Sequence, residues 1–233
     1  MKIFQSNLST LIFLFLFFSC TAQPKTVLTS DEFEKAISSN VSVQVLDVRT
    51  AEEFNTGHIK NALLADWRDQ TEFDRRISYI DKDKPVYVYC LGGGRSSAAA
   101  VKMKEMGFQQ VFELKGGMNA WKSDNKLVEG KSTQKEMSSI EFNNAINLDS
   151  FVLVDFGAEW CPPCKKMEPV IERIKKNNAS KLSIVKVDGG RDETILKTFH
   201  VTALPVFILF KGGKQIWRKE GIVEEKEIAA LIK

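Results

Sequence analysis

Short apolar runs alternate with longer amphipathic stretches between residues 27 and 121, and this pattern predicts strands separated by helices. Thr29 and Thr50 each stand three residues before a glutamate, which is the pattern of a helix capping box. A helix is also predicted over residues 96–106, where Gly107 ends it. The alternation favours a parallel sheet covered by helices. The predicted strands are residues 43–48 (VQVLDV), 85–90 (PVYVYC) and 110–117 (QVFELKGG).

A similar pattern starts again after residues 124–137, which are polar and lack periodicity. Ser138 and Glu141 form a third capping box at the new start. Lys211-Gly-Gly-Lys214 predicts a hairpin turn. The elements expected after the capping box are strand 151–156, a helix after Cys161, strand 182–187, a short helix over 192–199, strands 205–210 and 215–219, and a helix from about Glu224.

The pattern therefore predicts two α/β domains, at residues 24–123 and 134–233, joined by a linker at residues 124–133. If the whole polar segment at residues 124–137 is flexible, its r.m.s. span would be roughly 20 Å. Such a tether would hold two sites at an effective concentration in the millimolar range, on the order of 1 mM, where geometry permits.

The first nineteen residues predict a signal peptide. Lys2 is their one charge, and the apolar run at residues 11–18 is too short to span a bilayer. Cys20 stands where a bacterial lipoprotein signal ends, and the resemblance implies that Cys20 is lipidated; cleavage after Ala22 is the alternative. The chain is expected to be exported to the periplasmic side of a bacterial membrane, with a lipid anchor if Cys20 is acylated.

Charge and cysteine content narrow the class of protein. The formal net charge is only +3 and 43% of the residues are apolar, so we expect packed cores and no nucleic-acid partner. With Cys20 lipidated, three cysteines remain, and at least one of them is free or reactive. Cys161 and Cys164 are near enough in sequence to pair, which leaves Cys90.

Cys90 lies between a predicted strand and a predicted helix, in the segment YCLGGGRSS. Such a turn directs backbone N–H groups inward, and the helix N-terminus adds partial positive charge. The three glycines allow unusual dihedral angles and keep side chains away from the centre. We therefore expect an anion cradle around the sulfur and a thiol pKa below its ordinary value of about 8.5. A capping role for Ser96, and a buried structural cysteine in an ordinary turn, are the alternative interpretations.

The pattern Cys90-x-x-Gly93-x-Arg95-Ser96 resembles the active loop of the rhodanese sulfurtransferases. The resemblance implies that Cys90 attacks a sulfur donor and becomes a persulfide, with Arg95 in the same catalytic loop. The substrate-binding loop implied by the resemblance comprises Leu91, Gly92, Gly93, Gly94 and Ser96. The family's flanking signatures are matched by Asp47-Val48-Arg49, Glu53-Phe54, Gly57-His58-Ile59, Gly116-Gly117 and Ala120-Trp121.

The length of the loop bears on its chemistry. Related phosphatases and arsenate reductases have five residues between cysteine and arginine, whereas this chain has four, Leu91 to Gly94. The shorter loop favours a persulfide over a tetrahedral phosphate. Because the loop lacks additional basic residues, the expected donor is thiosulfate or another sulfane compound such as a small persulfide. His58 is expected to belong to a structural turn.

The second cysteine motif is WCPPC, residues 160–164. Cys161 is predicted at a helix start with Cys164 one turn inside, so the helix N-terminus and an exposed position should lower the pKa of the Cys161 thiol. Cys161 is then the attacking thiolate and Cys164 the resolving thiol. The two histidines lie far away in sequence, so neither a metal nor another cofactor is expected. A purely structural disulfide is the alternative.

The residues around this motif resemble thioredoxin. Trp160 matches the aromatic residue that shields the cysteines, and Asp155 and Lys186 match the buried acid and its neighbouring lysine. Ala203-Leu204-Pro205 matches the loop with a cis proline facing the disulfide. The resemblance implies a redox-active Cys161–Cys164 disulfide. Gly157 and Pro162 depart from the usual residues, which leaves the redox direction open.

The combined resemblance predicts an N-terminal rhodanese-like parallel-sheet domain followed by a thioredoxin-fold domain. The implied enzyme is a sulfurtransferase that forms a persulfide on Cys90, which the Cys161/Cys164 dithiol reduces to release sulfide. The alternative is an exported thiol-disulfide oxidoreductase whose rhodanese-like domain is a binding or sensing module. The implied partners are a small sulfur donor, an external electron donor or thiol protein for the dithiol, and a membrane if Cys20 is acylated.

Overall fold

The computed structural model describes residues 25–39, 43–130 and 135–232. The predicted signal peptide, the lipidation of Cys20 and part of the predicted linker lie outside the described residues. The described chain has the predicted α/β fold, with a parallel sheet first and a mixed sheet second. Within these ranges, no helix has both the length and the apolar character needed to cross a membrane.

The N-terminal domain contains a five-stranded parallel sheet in the order β1-β5-β4-β2-β3. Its strands are β1 (Val27–Leu28), β2 (Gln44–Asp47), β3 (Leu63–Leu64), β4 (Val86–Tyr89) and β5 (Val111–Leu114). Its helices are α1 (Ser30–Ser39), α2 (Ala51–Asn55), α3 (Gln70–Ile77), α4 (Gly94–Glu105) and α5 (Gly117–Ser123).

Helices cover both faces of this sheet, which is why its central strands are apolar on both sides. Phe33 of α1 and Phe54 of α2 belong to the apolar core on one face, and Phe73 of α3 and Met103 of α4 belong to the core on the other. The loop that contains Cys90 follows β4, so it begins at the carboxyl end of the central strand of the sheet.

Two features of this domain differ from the prediction. The strand predicted over residues 110–117 ends at Leu114, because Gly116 and Gly117 take positive φ angles of 73° and 58° and turn the chain into α5. The strands β1 and β3 were not predicted, since two residues are too short to give a periodic signal. The capping box at Thr50 is confirmed, and Thr29 and Glu32 exchange the same pair of hydrogen bonds.

The C-terminal domain contains a four-stranded mixed sheet in the order β7-β6-β8-β9. Strand β6 pairs parallel to β7 and antiparallel to β8. The strands are β6 (Phe151–Gly157), β7 (Leu182–Asp188), β8 (Val206–Lys211) and β9 (Lys214–Glu220). The helices are α6 (Ser139–Ile146), α7 (Pro162–Asn177), α8 (Glu193–Thr198) and α9 (Glu225–Ala229).

The predicted hairpin and third capping box are both confirmed in this domain. Lys211 pairs with Lys214 across the turn, where Gly212 and Gly213 have φ angles of 56° and 72°. Ser138 caps α6 together with Glu141. Helices cover both faces of the sheet, so β6 and β8 are the buried central strands.

The described part of the predicted linker is held against the N-terminal domain. The Trp121 indole N–H donates to the carbonyl of Leu127 at 2.9 Å. His58 and Glu129 exchange two main-chain hydrogen bonds, of 2.6 and 2.8 Å. Residues 124–129 of the predicted linker are therefore attached to the N-terminal domain.

The two domains dock at the edge of the N-terminal sheet. The Leu64 amide on β3 donates a hydrogen bond of 2.8 Å to the carbonyl of Trp160. The Arg75 guanidinium on α3 donates a second, also 2.8 Å, to the carbonyl of Leu204. Both acceptors come from the C-terminal domain, in the segments that border the Cys161–Cys164 pair.

Candidate active sites

Cys90 directly follows β4, and its side chain is buried at 1% exposure. The Gly93 amide N–H points at the Cys90 sulfur with a nitrogen–sulfur distance of 3.1 Å. The Ser96 hydroxyl lies 3.4 Å from the same sulfur. The loop thus surrounds the sulfur with hydrogen-bond donors, as the cradle predicted from the glycines requires.

Helix α4 begins at Gly94, two residues earlier than predicted. Ser96 therefore lies inside the first turn, and its predicted capping role is wrong. The N-terminal cap is Gly93, which has a φ angle of 109° and no side chain to accept a hydrogen bond. Ser96 is fully buried, and its hydroxyl is also 2.9 Å from the Gly93 carbonyl. Its place in the helix is what directs it at the sulfur.

The start of α5 holds the back of the loop. The amides of Met118 and Asn119 donate to the carbonyls of Cys90 and Leu91, at 2.8 and 3.0 Å. A Cβ atom on Gly117 would lie 2.3 Å from the Cys90 carbonyl oxygen, far inside contact distance. Gly117 therefore allows the close approach of two main-chain segments that fixes the loop.

The environment of Cys90 favours its thiolate. Burial raises the pKa of the thiol, but hydrogen bonds from Ser96, Gly93 and Gly92 oppose this and leave the pKa below its ordinary value. The remaining loop residues, Leu91 and Gly94, are exposed. The buried thiolate is therefore stabilised from within a loop that itself lies at the protein surface.

The Arg95 side chain is partly buried and forms an ion pair with Glu53 of α2. The two guanidinium–carboxylate contacts measure 2.6 and 2.7 Å. The Arg95 hydrogen bond, together with the Thr50 amide and hydroxyl, outweighs burial and lowers the pKa of Glu53 to about 2. The structure thus adds Glu53 to the site. Its capping-box position explains the carboxylate, but no pattern in the sequence indicates a bond to Arg95.

Cys161 is the N-terminal cap of α7, and a disulfide joins it to Cys164 with the two Cα atoms 5.2 Å apart. The Cys164 amide N–H is 3.3 Å from the Cys161 sulfur. Pro162 and Pro163 occupy the first two helical positions, where a missing N–H costs nothing. The sequence CPPC therefore fixes the sharp helix start that brings the two sulfurs together.

The predicted exposure of Cys161 is wrong. Cys161 is 0% exposed and Cys164 is 8% exposed. Trp160 directly precedes Cys161 and packs against the apolar cores of both domains. The N-terminal domain therefore contributes to the burial of Cys161. The sequence around Cys161 does not predict this burial, because the covering residues, such as Leu64, lie almost a hundred positions earlier.

Asp155 lies on β6 near the dithiol, and Lys186 is its register partner on β7. Burial, with a contribution from Glu168, raises the pKa of Asp155 to about 6, although Lys186 acts in the opposite direction. Asp155 and Cys164 line one cleft of about 310 Å³. The Leu204–Pro205 peptide bond is cis, as the thioredoxin resemblance implied.

The predicted residues form two groups that are not in contact. Leu64 and Tyr89 both pair with Asp47, on opposite sides of β2, so their Cα atoms are about 10 Å apart. Cys90 follows Tyr89, whereas Trp160 is one hydrogen bond beyond Leu64. The docked arrangement therefore keeps Cys90 apart from Cys161. Among the described residues, no group of three or more metal-ligating side chains is found.

A mixed sheet with a dithiol at a helix start and a cis proline beside it defines a thiol-disulfide oxidoreductase domain. Comparisons with known proteins agree. The family model described as "Thioredoxin" matches residues 133–233, and the one described as "Rhodanese-like domain" matches residues 29–124.

Several curated thioredoxins are similar to this chain. Thioredoxin X, chloroplastic, of Arabidopsis thaliana is 32% identical over 150 residues, which cover 59% of this chain and 82% of that protein. The thioredoxin of Alicyclobacillus acidocaldarius subsp. acidocaldarius is 33% identical over 96 residues, covering 41% and 91%. Thioredoxin Y1, chloroplastic, of Arabidopsis thaliana is 37% identical over 87 residues, covering 37% of this chain and about half, 51%, of that protein.

The chain belongs to the thioredoxin family and carries a rhodanese-like domain in front of its thioredoxin domain. The predicted order of the two domains is thereby confirmed.

Proposed function

We propose that Cys90 accepts sulfane sulfur and that the Cys161/Cys164 dithiol releases it as sulfide. The observation that carries the proposal is the Cys90 sulfur, buried in a loop that directs the Gly93 amide at 3.1 Å and the Ser96 hydroxyl at 3.4 Å toward it. Such donors stabilise a thiolate and would equally stabilise the terminal charge of a persulfide. The supporting observation is the dithiol in the same chain.

The first half-reaction loads the loop. The Cys90 thiolate attacks the outer sulfur of thiosulfate or of a small persulfide. The sulfur–sulfur bond of the donor breaks, and the electron pair leaves with sulfite or with the donor thiolate. Cys90 then carries a persulfide. Leu91 and Gly94 are exposed, so a local movement of the loop would admit a small donor to the sulfur.

The second half-reaction consumes the dithiol and requires the two domains to move, because the docked arrangement keeps Cys90 apart from Cys161. The Cys161 thiolate attacks the outer persulfide sulfur, which regenerates the Cys90 thiolate and leaves a persulfide on Cys161. The Cys164 thiolate then attacks the Cys161 sulfur, expels hydrosulfide and closes the disulfide. Asp155 would accept the Cys164 proton; the shared cleft and the pKa of Asp155, raised to about 6, support this role. An external electron donor must reduce the disulfide before the next cycle.

The test measures sulfide released by the full chain from thiosulfate or glutathione persulfide, with a thioredoxin reductase system as the electron source. Cyanide replaces the dithiol as sulfur acceptor in a parallel assay. We expect Cys90→Ser to abolish both reactions and Cys161→Ser to abolish only sulfide release. Cys164→Ser should transfer sulfur but retain it, detectable as one extra sulfur atom in the mass of the Cys161 peptide.

The proposal fails if the wild-type chain transfers no sulfur from either donor. The rhodanese-like domain would then be a binding or sensing module, and the dithiol the main site. It fails in its second half if Cys161→Ser leaves reductase-driven sulfide release unchanged.

We also infer that the chain acts outside the cytoplasm, on the periplasmic side of a bacterial membrane. The inference rests on the apolar run at residues 11–18 and on Cys20. Labelling of expressing bacteria with palmitate tests it: Cys20→Ser should remove the label, and an unlabelled wild-type chain would contradict the lipid anchor.

A further inference from the structure

The disulfide of the thioredoxin domain is inaccessible in the docked chain. Thiol–disulfide exchange requires a thiolate to reach a sulfur atom in line with the bond that breaks. Cys161 has no exposed surface and Cys164 has 8%. A protein thiol cannot make this approach while the sulfurs are covered.

The N-terminal domain binds the two main-chain segments that border the disulfide. Leu64 donates to the carbonyl of Trp160, the residue before Cys161. Arg75 donates to the carbonyl of Leu204, the residue before the cis proline. Trp160 and Leu204 belong with both cysteines to one apolar cluster, so these contacts fix the rim of the dithiol site.

The Trp160 ring is also held from the N-terminal domain. The Arg76 guanidinium lies 5.2 Å from the centre of the indole, and the Phe54 ring centre lies 6.1 Å away. Glu72 receives hydrogen bonds of 2.6–2.7 Å from both Arg75 and Arg76 and so orients them. We call Glu72, Arg75 and Arg76 the arginine latch.

The contact is suited to opening. Clefts of about 620 and 370 Å³ border Trp160 between the two domains. The two interdomain hydrogen bonds described above are accepted by the main-chain carbonyls of Trp160 and Leu204. Water can donate to these oxygens instead once the domains separate. Polar interfaces within a chain behave like those of transient complexes.

We propose that the rhodanese-like domain and external disulfide proteins compete for one surface, the rim formed by Trp160 and Leu204. The arginine latch holds this surface in the docked state. A protein disulfide reacts only after the latch releases. The Cys161 thiolate attacks the partner's disulfide, whose sulfur–sulfur bond breaks and releases one partner thiolate; the Cys164 thiolate then attacks the Cys161 sulfur of the mixed disulfide and releases the second. The partner gains two electrons and the cysteine pair loses them. For protein disulfides the proposal is independent of any sulfur transfer by Cys90.

The test compares reduction of insulin disulfides, in the presence of dithiothreitol, by the full chain and by its Arg75→Gln/Arg76→Gln variant. The Arg75 hydrogen bond to Leu204 and the Arg76–Trp160 contact should each change the docking equilibrium by about threefold, so we expect their combined loss to raise the initial rate about tenfold. Arg68→Gln is the matched control, because Arg68 is exposed and lies just before α3. Its rate should equal that of the wild type.

A second measurement distinguishes separation of the two domains from a general loss of structure. In the reduced protein, the alkylation rate of Cys161 by a polymer-linked maleimide should rise with the double variant far more than the rate with N-ethylmaleimide. Arg75→Gln alone leaves the Arg76–Glu72 pair intact and should raise insulin reduction about threefold. Unchanged rates for Arg75→Gln and for a folded double variant would overturn the proposal. If Cys90 proves inactive but insulin reduction rises, the proposed sulfur transfer fails and the competition stands.

Discussion

Cys90 and Cys161 are both buried cysteines at the N-terminal end of a helix, yet their burial has different origins. The Cys90 sulfur is enclosed by its own loop, within six residues of chain, and the loop's mouth is exposed. Cys161 is covered with the help of another domain, through Leu64 and the arginine latch. Access to a sulfur enclosed by its own loop requires only a local movement of that loop, whereas access to one covered by a neighbouring domain requires that domain to move.

The largest difference between the two cysteine sites is expected from Gly117→Ala, which should impair Cys90 and leave Cys161 unaffected. The added Cβ atom would lie 2.3 Å from the Cys90 carbonyl, at a φ angle of 58°. The loop must shift by about 1 Å, and sulfur transfer to cyanide should fall on the order of 100-fold. The rate of insulin reduction should stay within about twofold of the wild-type rate, because the substitution distorts the Cys90 loop and leaves the Cys161/Cys164 dithiol intact.

Gly130→Ala is the matched control for that experiment, since no atom lies within 4 Å of its added Cβ. Retention of full sulfur transfer by Gly117→Ala would mean that the back of the loop does not position Cys90.

A second, smaller effect concerns only the dithiol site. The pKa of Asp155 is raised from 3.8 to about 6, so ionising it costs the folded state free energy as pH rises through that window. The contribution of Asp155 to stability should therefore increase as pH falls from 7 to 4. Asp155→Asn should raise the free energy of unfolding by about 2–3 kcal/mol at pH 7 and by almost nothing at pH 4. Urea unfolding at both pH values measures this.

Asp149→Asn provides the control, because Asp149 is exposed. If Asp155→Asn were no more stable than the wild type at pH 7, burial of Asp155 would not be unfavourable. Sulfur transfer to cyanide should not change in either variant.

The smallest effect sharpens the description of the Cys90 loop. Ser96→Ala removes the hydroxyl 3.4 Å from the Cys90 sulfur, so the pKa of the thiol should rise. The pH profile of Cys90 alkylation, followed by peptide mass spectrometry, reports the shift. Ser97→Ala is the control, since Ser97 is exposed and bonds to Glu113 instead. An unshifted profile would assign the stabilisation to the backbone amides alone.

Sequence reasoning gave the fold class, the domain order and the short-range chemistry, because those depend on neighbouring residues. The glycines next to Cys90 and the prolines between Cys161 and Cys164 carry their local geometry with them. The bond between Arg95 and Glu53 spans 42 positions and has no periodic signal. The cover over Cys161 depends on how two domains meet, and neither Leu64 nor Arg75 stands out from the surrounding sequence.

The outer edge of β3 adds a consequence for the stability of the protein against self-association. The exposed edge of a sheet can pair with another chain, and proteins avoid this by covering it. At Leu64 the carbonyl receives the Arg76 guanidinium and the amide is paired with Trp160. The thioredoxin domain thus caps the edge of its neighbour's sheet, so separating the two domains permanently would expose a surface on which rhodanese-like domains could aggregate.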